Sequence, residues 1–133
     1  MAPRTLAELE AAVARDLALI AHPRQAWLTP KTVAGRAALD VLIVGAGQGG
    51  LAVAFGLRRA RVDNILVVDR EPMGREGPWS TFARMPTLRS PKDQTGPDLD
   101  VPSLTYQSWH EAQWGADDFT AMRLIPTARW AEY

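Results

Sequence analysis

The 133 residues suffice for one domain, and a composition of 47% hydrophobic and 23% charged residues favours a globular protein with a buried core. Fifteen basic and 15 acidic residues give zero formal net charge, so the composition indicates neither nucleic-acid binding nor an anionic-membrane patch. The absence of cysteine excludes disulfides, thiolate metal sites and a CxxC redox pair within the chain.

The first 39 residues are predicted to form a separate N-terminal unit. Thr5-x-x-Glu8 is a capping box, and it predicts the start of a helix. The helix should end before Pro23, and its apolar stripe recurs at spacings of three and four, at Leu6, Leu9, Val13, Leu17 and Ile20. We expect this helix to dock on the outside of the main domain, with a subunit contact as the alternative. Residues 22–39 have the composition of a linker.

Residues 40–70 carry the most informative pattern of the chain. The apolar run Val41–Val44 leads into the glycine pattern Gly45-x-Gly47-x-x-Gly50, and an amphipathic helix pattern follows. A second apolar run then ends at Asp69. This order of strand, glycine turn, helix, strand and acid is typical of a dinucleotide-binding βαβ start. If the glycine turn bound no ligand, the strand before it, the helix after it and the distant Asp69 would all have to occur in this order by chance.

Each residue of the glycine turn has a predicted role in holding a pyrophosphate. Gly45 allows the tight turn, Gly47 allows close backbone approach of the phosphates, and Gly50 lets the helix pack against the strand. Ala46 and Gln48 lie in the same turn and complete the predicted contacts. The N-terminus of the helix offers unpaired N–H groups and the positive end of its dipole.

Asp69 lies 19 residues after Gly50 and is predicted to accept hydrogen bonds from ribose hydroxyls. Its charge would repel a 2′-phosphate, so the site should prefer FAD or NAD to NADP. The neighbouring Arg70 opposes that preference, because an arginine can pair with a phosphate.

The remainder of the chain changes character. Residues 71–103 contain six prolines and three glycines together with many large and charged side chains, which indicates an ordered but irregular segment. Residues 104–133 are predicted to form short helices over Thr105–Trp114 and Asp117–Leu124, with a third beginning at Thr127. His110 is expected on a surface helix, with only the adjacent Glu111 as an acid.

The glycine turn, the Val-Val-Asp-Arg strand end and the later Gly77-Pro-Trp79 resemble the N-terminus of FAD-dependent monooxygenases of the flavin-containing, Baeyer–Villiger and N-hydroxylating types. Asp69 replaces the more usual Glu, and Pro78 interrupts the usual Gly-Gly-x-Trp. The run from Met85 to Asp98 is similar to a bacterial subgroup of FAD/NAD(P)-dependent oxidoreductases that includes urate-hydroxylase-like members. The resemblance covers about residues 38–133.

This resemblance implies further site residues. Arg70 would join the glycine turn and Asp69 in holding the ADP half of FAD, while Trp79, Arg84 and Arg89 would lie towards the flavin or its ribityl chain. Lys92 stands where N-hydroxylating relatives have a lysine near the substrate, although a loop lysine is usually a solvated surface residue. Neither a catalytic residue nor a metal site is predicted.

The sequence therefore predicts an α/β fold: a Rossmann-like βαβ start of a FAD/NAD(P)-binding domain, after an N-terminal amphipathic helix and before a Pro-rich and then helical C-terminal part. The predicted division is 1–39 and 40–133, the latter comprising 40–70, 71–103 and 104–133. Only one glycine fingerprint is present, so we expect the NAD(P)H site to be absent, the fold to be incomplete and the chain alone not to be a complete enzyme.

The predicted function is the FAD-binding portion of a flavoprotein oxidoreductase, an NAD(P)H-dependent monooxygenase that activates O₂ on reduced flavin. The alternatives are an NAD-binding segment of a dehydrogenase and a non-catalytic binding or assembly module. We expect the partners to be a small-molecule cofactor and substrate, together with the remainder of the enzyme or a partner chain. A homo-oligomer is left open. Nucleic acid and membrane are not expected as partners, and a cytoplasmic location is the default.

Overall fold

The computed structural model describes residues 5–94 and 96–133, so residues 1–4 of the predicted N-terminal unit and Thr95 of the predicted Pro-rich segment lie outside the described residues. In chain order the elements are α1 (Leu6–Leu19), β1 (Thr32–Val33), β2 (Arg36–Ala37), β3 (Val41–Val44), α2 (Gln48–Arg59), β4 (Ile65–Val68), a 3₁₀ turn (Pro102–Leu104), α3 (Tyr106–Trp114), α4 (Ala116–Ala121) and α5 (Thr127–Glu132). The predicted α/β class is confirmed by this arrangement of helices and small sheets.

The chain divides into two units by packing. One, here called the sheet unit, is Ala21–Pro78, and the other, here called the helical unit, combines the N-terminal segment up to Ile20 with Trp79–Tyr133. The first helix thus groups with the C-terminal half of the chain, and residues 21–39 group with the glycine turn. The predicted domain division at residue 39 concerns the organisation of the intact protein, and it stays a proposal.

In the sheet unit, β3 and β4 are parallel neighbours joined by the crossover helix α2. Their register pairs Val41 with Ile65 and Val44 with Val68, so the two strands end together at the glycine turn. Ala54 of α2 is buried, and alternate strand residues are half-buried. The period of two in the burial pattern shows that α2 covers only one face of this strand pair.

The other face of the β3–β4 pair is apolar and exposed. Leu42 and Leu66 are exposed on this face, as are Val44, at 81%, and Val68. Parallel sheets in proteins are normally covered on both faces, because their crossover connections place helices there. In the part of the chain that the structure describes, this hydrophobic face therefore lacks the packed helix that usually covers each face of a parallel sheet.

Residues 21–39 contain structure that a linker would lack. β1 and β2 form a two-residue hairpin whose turn residues, Ala34 and Gly35, both have positive φ. That conformation matches the twist of hairpin strands. The side chain of Trp27 donates from Nε1 to the carbonyl of Ala60 over 2.7 Å, which fastens this region to the end of α2. The predicted linker is therefore ordered over this stretch.

In the helical unit, α1 begins as its sequence predicts. The Thr5 side chain caps the helix by accepting a hydrogen bond from the Glu8 N–H over 3.2 Å. Leu9 is buried, and the Asp16 carboxylate accepts a 2.7 Å hydrogen bond from the Ser103 hydroxyl. The helix packs against α3 and the 3₁₀ turn, as the docking interpretation predicts.

The core of the helical unit is largely aromatic. Its buried members are Leu88, Tyr106, Phe119 and Ile125, and half-buried partners pack around them, namely Trp79, Trp109, Met122, Trp130 and Tyr133. The Pro-rich segment joins this core through antiparallel pairing, in which the Leu88 N–H donates to the Ile125 carbonyl over 2.8 Å. The predicted irregular segment is thus held by a buried leucine and backbone hydrogen bonds.

The C-terminal helices follow the prediction with one difference. α3 is capped by the Thr105 side chain and ends at Gly115, which has a φ of +87°. α4 ends at Ala121, earlier than the predicted Leu124, because Met122 adopts an extended conformation. Within the described residues, no helix is long and apolar enough to cross a membrane.

Replacing Ile125 with alanine should destabilise the protein by about 2–5 kcal/mol, because the residue is 3% exposed and its loss leaves a cavity in the aromatic core. The matched control is Leu19→Ala, at a position 74% exposed on α1, which should change stability by less than about 0.5 kcal/mol. Urea unfolding followed by circular dichroism measures both. Equal losses in the two variants would contradict this assignment of the core.

Candidate nucleotide site

The glycine turn connects β3 to α2 in a conformation that requires residues without a side chain at particular positions. Gly45 has a φ of +106°, a region that favours glycine, and its N–H donates to the Val68 carbonyl of β4 over 2.7 Å. A Cβ on Gly50 would lie 1.8 Å from the Gly45 carbonyl oxygen. No side chain fits in that space, so α2 rests directly on the backbone of the turn.

The N-terminus of α2 suits an anion. Gly47 is the N-cap residue and has no side chain to bond the first N–H groups of the helix. No acidic residue occurs in the first turn. The N–H groups of residues 48–50 therefore remain available, and the helix dipole adds positive potential at the same place. This is the geometry that a phosphate-binding turn requires.

Gly47 also lies against a second backbone. A Cβ at Gly47 would be 3.3 Å from the Cα of Gly77, and a Cβ at Gly77 would be 3.4 Å from the Cα of Gly47. Gly77 has a φ of +72°. The predicted need for a glycine at position 47 thus has a structural reason within the protein, besides the proposed approach of a phosphate.

Asp69 stands at the end of β4 and faces the turn. Its Oδ2 accepts a 2.7 Å hydrogen bond from the Ala46 N–H, and its Oδ1 accepts a 2.8 Å hydrogen bond from the Glu71 N–H. The hydrogen bond from Glu71 and then that from Ala46 lower the pKa of the Asp69 carboxyl. The carboxylate is therefore ionised at neutral pH and fixed in orientation, with further lone pairs available to a ligand.

Arg70 forms an ion pair with the adjacent Glu71. Its Nε lies 3.3 Å from Oε1 of Glu71, and the Arg70 side chain is 84% exposed. An exposed pair of this kind contributes little to stability and can exchange partners. Gln48 is exposed at the start of α2.

The remaining predicted site residues lie in the helical unit. Trp79 is half-buried with its ring edge-on to Trp130 at 6.3 Å, while Arg84 and Arg89 are exposed. The ammonium group of Lys92 donates to the carbonyl oxygens of Phe119 and Thr120, at 2.6 and 2.9 Å. These carbonyls lie near the C-terminal end of α4, where a positive charge is favourable. The flavin-side and substrate roles of these residues stay predictions.

His110 does not lie on a surface helix, and that expectation is wrong. The side chain is fully buried, with Nε2 2.8 Å from Oδ1 of Asp118 and Nδ1 3.2 Å from the Tyr106 hydroxyl. Burial raises the pKa of Tyr106 to about 12, so the hydroxyl that meets Nδ1 of His110 is neutral. Arg129 completes the cluster at 2.6 Å from Asp118 Oδ1.

Sequence reasoning missed this cluster because its acid lies eight residues away on the next helix. The spacing of eight places Asp118 across the bend at Gly115, and a search along a single helix does not reach it. Two features of the sequence could have indicated the cluster: the helix break at Gly115 and the two acidic residues in the first turn of α4. Across the described ranges, no group of three or more His, Cys, Asp or Glu residues is placed to hold a metal.

The chain belongs to the FAD-NAD(P)-binding family, which matches residues 42–133. It is also 50% identical over 129 residues to an FAD-dependent urate hydroxylase of Xanthomonas campestris pv. campestris. The alignment covers 97% of this chain and 27% of that relative. The predicted resemblance to FAD-dependent, monooxygenase-like oxidoreductases is confirmed by these matches, and they support FAD as cofactor with NAD(P)H as co-substrate in the family. No solved structure matches the chain.

Replacing Gly50 with alanine should destabilise the protein by about 3 kcal/mol or more, because the new methyl group would overlap the Gly45 carbonyl. Gly56 is the matched control: it is also in α2, but a Cβ there meets no atom within 4 Å. Gly56→Ala should instead stabilise the helix by about 0.5–1 kcal/mol. Thermal unfolding compares the two, and similar midpoints would contradict the described packing of α2.

Replacing Asp118 with asparagine should lower the thermal midpoint at neutral pH, because Arg129 and His110 lose a charged partner. The hydrogen bond from Arg129, and then that from His110, lower the pKa of Asp118 below its usual 3.8. The stabilisation is therefore present above 3.8 and is lost as the pH falls through the lower folded pKa. The midpoints of wild type and variant should converge as the pH falls below 3.8 and through the folded pKa of Asp118.

Asp117→Asn is the control, since it removes the neighbouring acid of the same helical turn and leaves the cluster intact. Its midpoint should stay close to that of the wild type at every pH. A gap between wild type and Asp118→Asn that persisted unchanged at low pH would contradict the ionic role of Asp118.

Proposed function

We propose that this chain is the FAD-binding portion of a flavoprotein oxidoreductase, a monooxygenase that uses NAD(P)H and O₂. The observation that carries the proposal is the joint placement of the glycine turn, the uncapped start of α2 and the Asp69 carboxylate within one strand–helix–strand unit. We propose that this unit is the Rossmann-like start of the FAD domain. The 50% identity to a FAD-dependent enzyme supports this reading.

The proposed ADP-binding residues have distinct physical roles. Backbone N–H groups from Gln48 onward and the dipole of α2 would hold the pyrophosphate, while Gly45, Gly47 and Gly50 permit the turn. Ala46 would line the same turn, with its N–H bonded to Asp69. The structure fits such a group because no side chain caps the helix start. Asp69 would accept hydrogen bonds from the adenosine ribose through the lone pairs that the backbone leaves free.

The bound flavin would supply the reaction of its reduced form with O₂ and the transfer of one oxygen atom to the substrate. Asp69 is ionised and would disfavour a 2′-phosphate, so the site in this chain should hold FAD and not NADP. Arg70 would stand beside the ribose, in an exposed and exchangeable pair with Glu71. Trp79, Arg84 and Arg89 are proposed to line the flavin side, and Lys92 the substrate side.

The chain spans 27% of the length of the curated relative that it matches, so the activity concerns a longer protein. By likeness to that relative we propose urate, or a related oxidised purine, as the substrate class of the whole enzyme. The exposed apolar face of the β3–β4 pair supports further polypeptide, from the remainder of the enzyme or a partner chain, as its cover. The 133 residues alone should bind FAD weakly and should not turn over substrate.

The same exposed face also favours the alternative of a binding or assembly module, in which a partner chain covers Leu42, Val44, Leu66 and Val68. Such a module would not need the nucleotide. An NAD-binding dehydrogenase segment would bind NAD and no flavin. A titration of the chain with FAD and with NAD therefore separates the three readings.

Asp69→Asn should weaken FAD binding roughly tenfold, because an amide is a weaker acceptor for the ribose and for the Ala46 N–H. Quenching of flavin fluorescence measures the affinity. Asp63→Asn is the control: it is an exposed acid at the other end of β4, and its affinity should match that of the wild type. Binding of NAD in place of FAD, or equal FAD affinity in all three proteins, would sink the proposal.

A further inference from the structure

The segment that follows β4, residues 70–77, contacts the glycine turn at both of its ends. At the start, the Asp69 carboxylate joins the Ala46 N–H of the turn to the Glu71 N–H of the segment. At the end, the backbone of Gly77 lies against that of Gly47. Two adjacent residues of the turn, Ala46 and Gly47, are thus held by one short stretch of chain.

This segment has its own internal order. The Arg75 N–H donates to the Pro72 carbonyl over 3.0 Å, which closes a turn. The Glu76 carboxylate accepts a 2.7 Å hydrogen bond from the Gly74 N–H. Because these bonds fix the segment, its contact can restrict movement of the glycine turn. A loose loop would instead move together with the turn.

The contact between Gly47 and Gly77 leaves little room for a side chain between the two backbones. A Cβ on Gly47 would be 3.3 Å from the Gly77 Cα, which is tighter than most contacts of real side chains. Gly47 is also the N-cap of α2, so its position sets where the first N–H groups of the helix point. Movement of Gly47 would therefore misdirect the proposed pyrophosphate contacts.

We propose that Gly77 is a positioning residue of the nucleotide site: it braces Gly47 and so holds the glycine turn in its binding conformation before a nucleotide arrives. This inference rests on the proposed FAD function for its effect on affinity. The bracing itself is a property of the unliganded protein. A preformed turn binds more tightly because binding does not have to order it.

Gly74 supplies a matched control. Gly74 and Gly77 lie three residues apart in the same segment, and both have positive φ, at +84° and +72°. A Cβ on Gly74 meets no atom within 4 Å, whereas a Cβ on Gly77 meets Gly47. Asparagine tolerates positive φ better than other residues with a side chain, so Gly74→Asn and Gly77→Asn impose similar backbone strain. Only the latter adds bulk against the turn.

The first measurement is amide hydrogen exchange of residues 45–50 in the unliganded 133-residue chain. Gly77→Asn should speed exchange in this turn relative to wild type, while Gly74→Asn should leave it unchanged. Thermal midpoints of the two variants should be similar, because their strain is matched. Equal exchange in both variants would overturn the bracing, whatever the result with FAD.

The second measurement is FAD affinity by flavin fluorescence. Gly77→Asn should bind about tenfold more weakly than wild type, and Gly74→Asn within about twofold of it. If the wild type binds no FAD but exchange is faster in Gly77→Asn, the proposed function is overturned and the bracing stands. Wild type that binds FAD, with both variants equal to it, would overturn the bracing alone.

Should Gly77→Asn fail to fold, Gly77→Ala with Gly74→Ala replaces the pair. The methyl group at position 77 lies 3.4 Å from the Gly47 Cα, an ordinary contact distance, so it adds less bulk than asparagine and should show a smaller change of the same sign. Both alanine variants carry the cost of positive φ, so the comparison between them still isolates the contact with Gly47. The absence of any difference between the two alanine variants in turn exchange would overturn the proposal.

Discussion

The contact between Gly50 and the Gly45 carbonyl is the constraint on which the candidate site depends. It sets how closely α2 approaches the end of β3, and thereby fixes the helix start above the ends of the two parallel strands. Once the helix is seated there, its first N–H groups and the Asp69 carboxylate face the same small region. A site for an anion beside a ribose follows from backbone packing, with few side chains involved.

The two units achieve order in different ways. The helical unit buries aromatic rings around Tyr106 and ties its loops to helices through groups such as Lys92. The sheet unit relies on backbone hydrogen bonds and glycine contacts, and it leaves one apolar strand face uncovered. The unit that carries the proposed ADP contacts is thus the one that leaves more of its large apolar side chains exposed.

Features set by a few adjacent residues could be predicted from the sequence. The capping by Thr5, the helix ends at Gly115 and the turn at Gly45 depend on local backbone rules, and all three are present. The parallel strand pair was also predictable, because alternation of strand, turn and helix admits few arrangements.

Features that depend on residues meeting across the fold could not be predicted. The His110–Asp118–Arg129 cluster requires knowledge of how α3, α4 and α5 bend on one another. The carbonyl partners of Lys92 are backbone atoms, which carry no signal in the sequence. The grouping of α1 with the C-terminal half likewise depends on a contact between Asp16 and Ser103, 87 residues apart.

The distribution of tryptophan has a practical consequence for spectroscopy. Of the five tryptophans, Trp79, Trp109, Trp114 and Trp130 belong to the helical unit, and Trp27 alone belongs to the sheet unit. Intrinsic fluorescence will therefore report mainly on the helical unit. Loss of order around the glycine turn would be nearly silent, unless the emission of Trp27, whose indole N–H is fastened to the end of α2, is isolated.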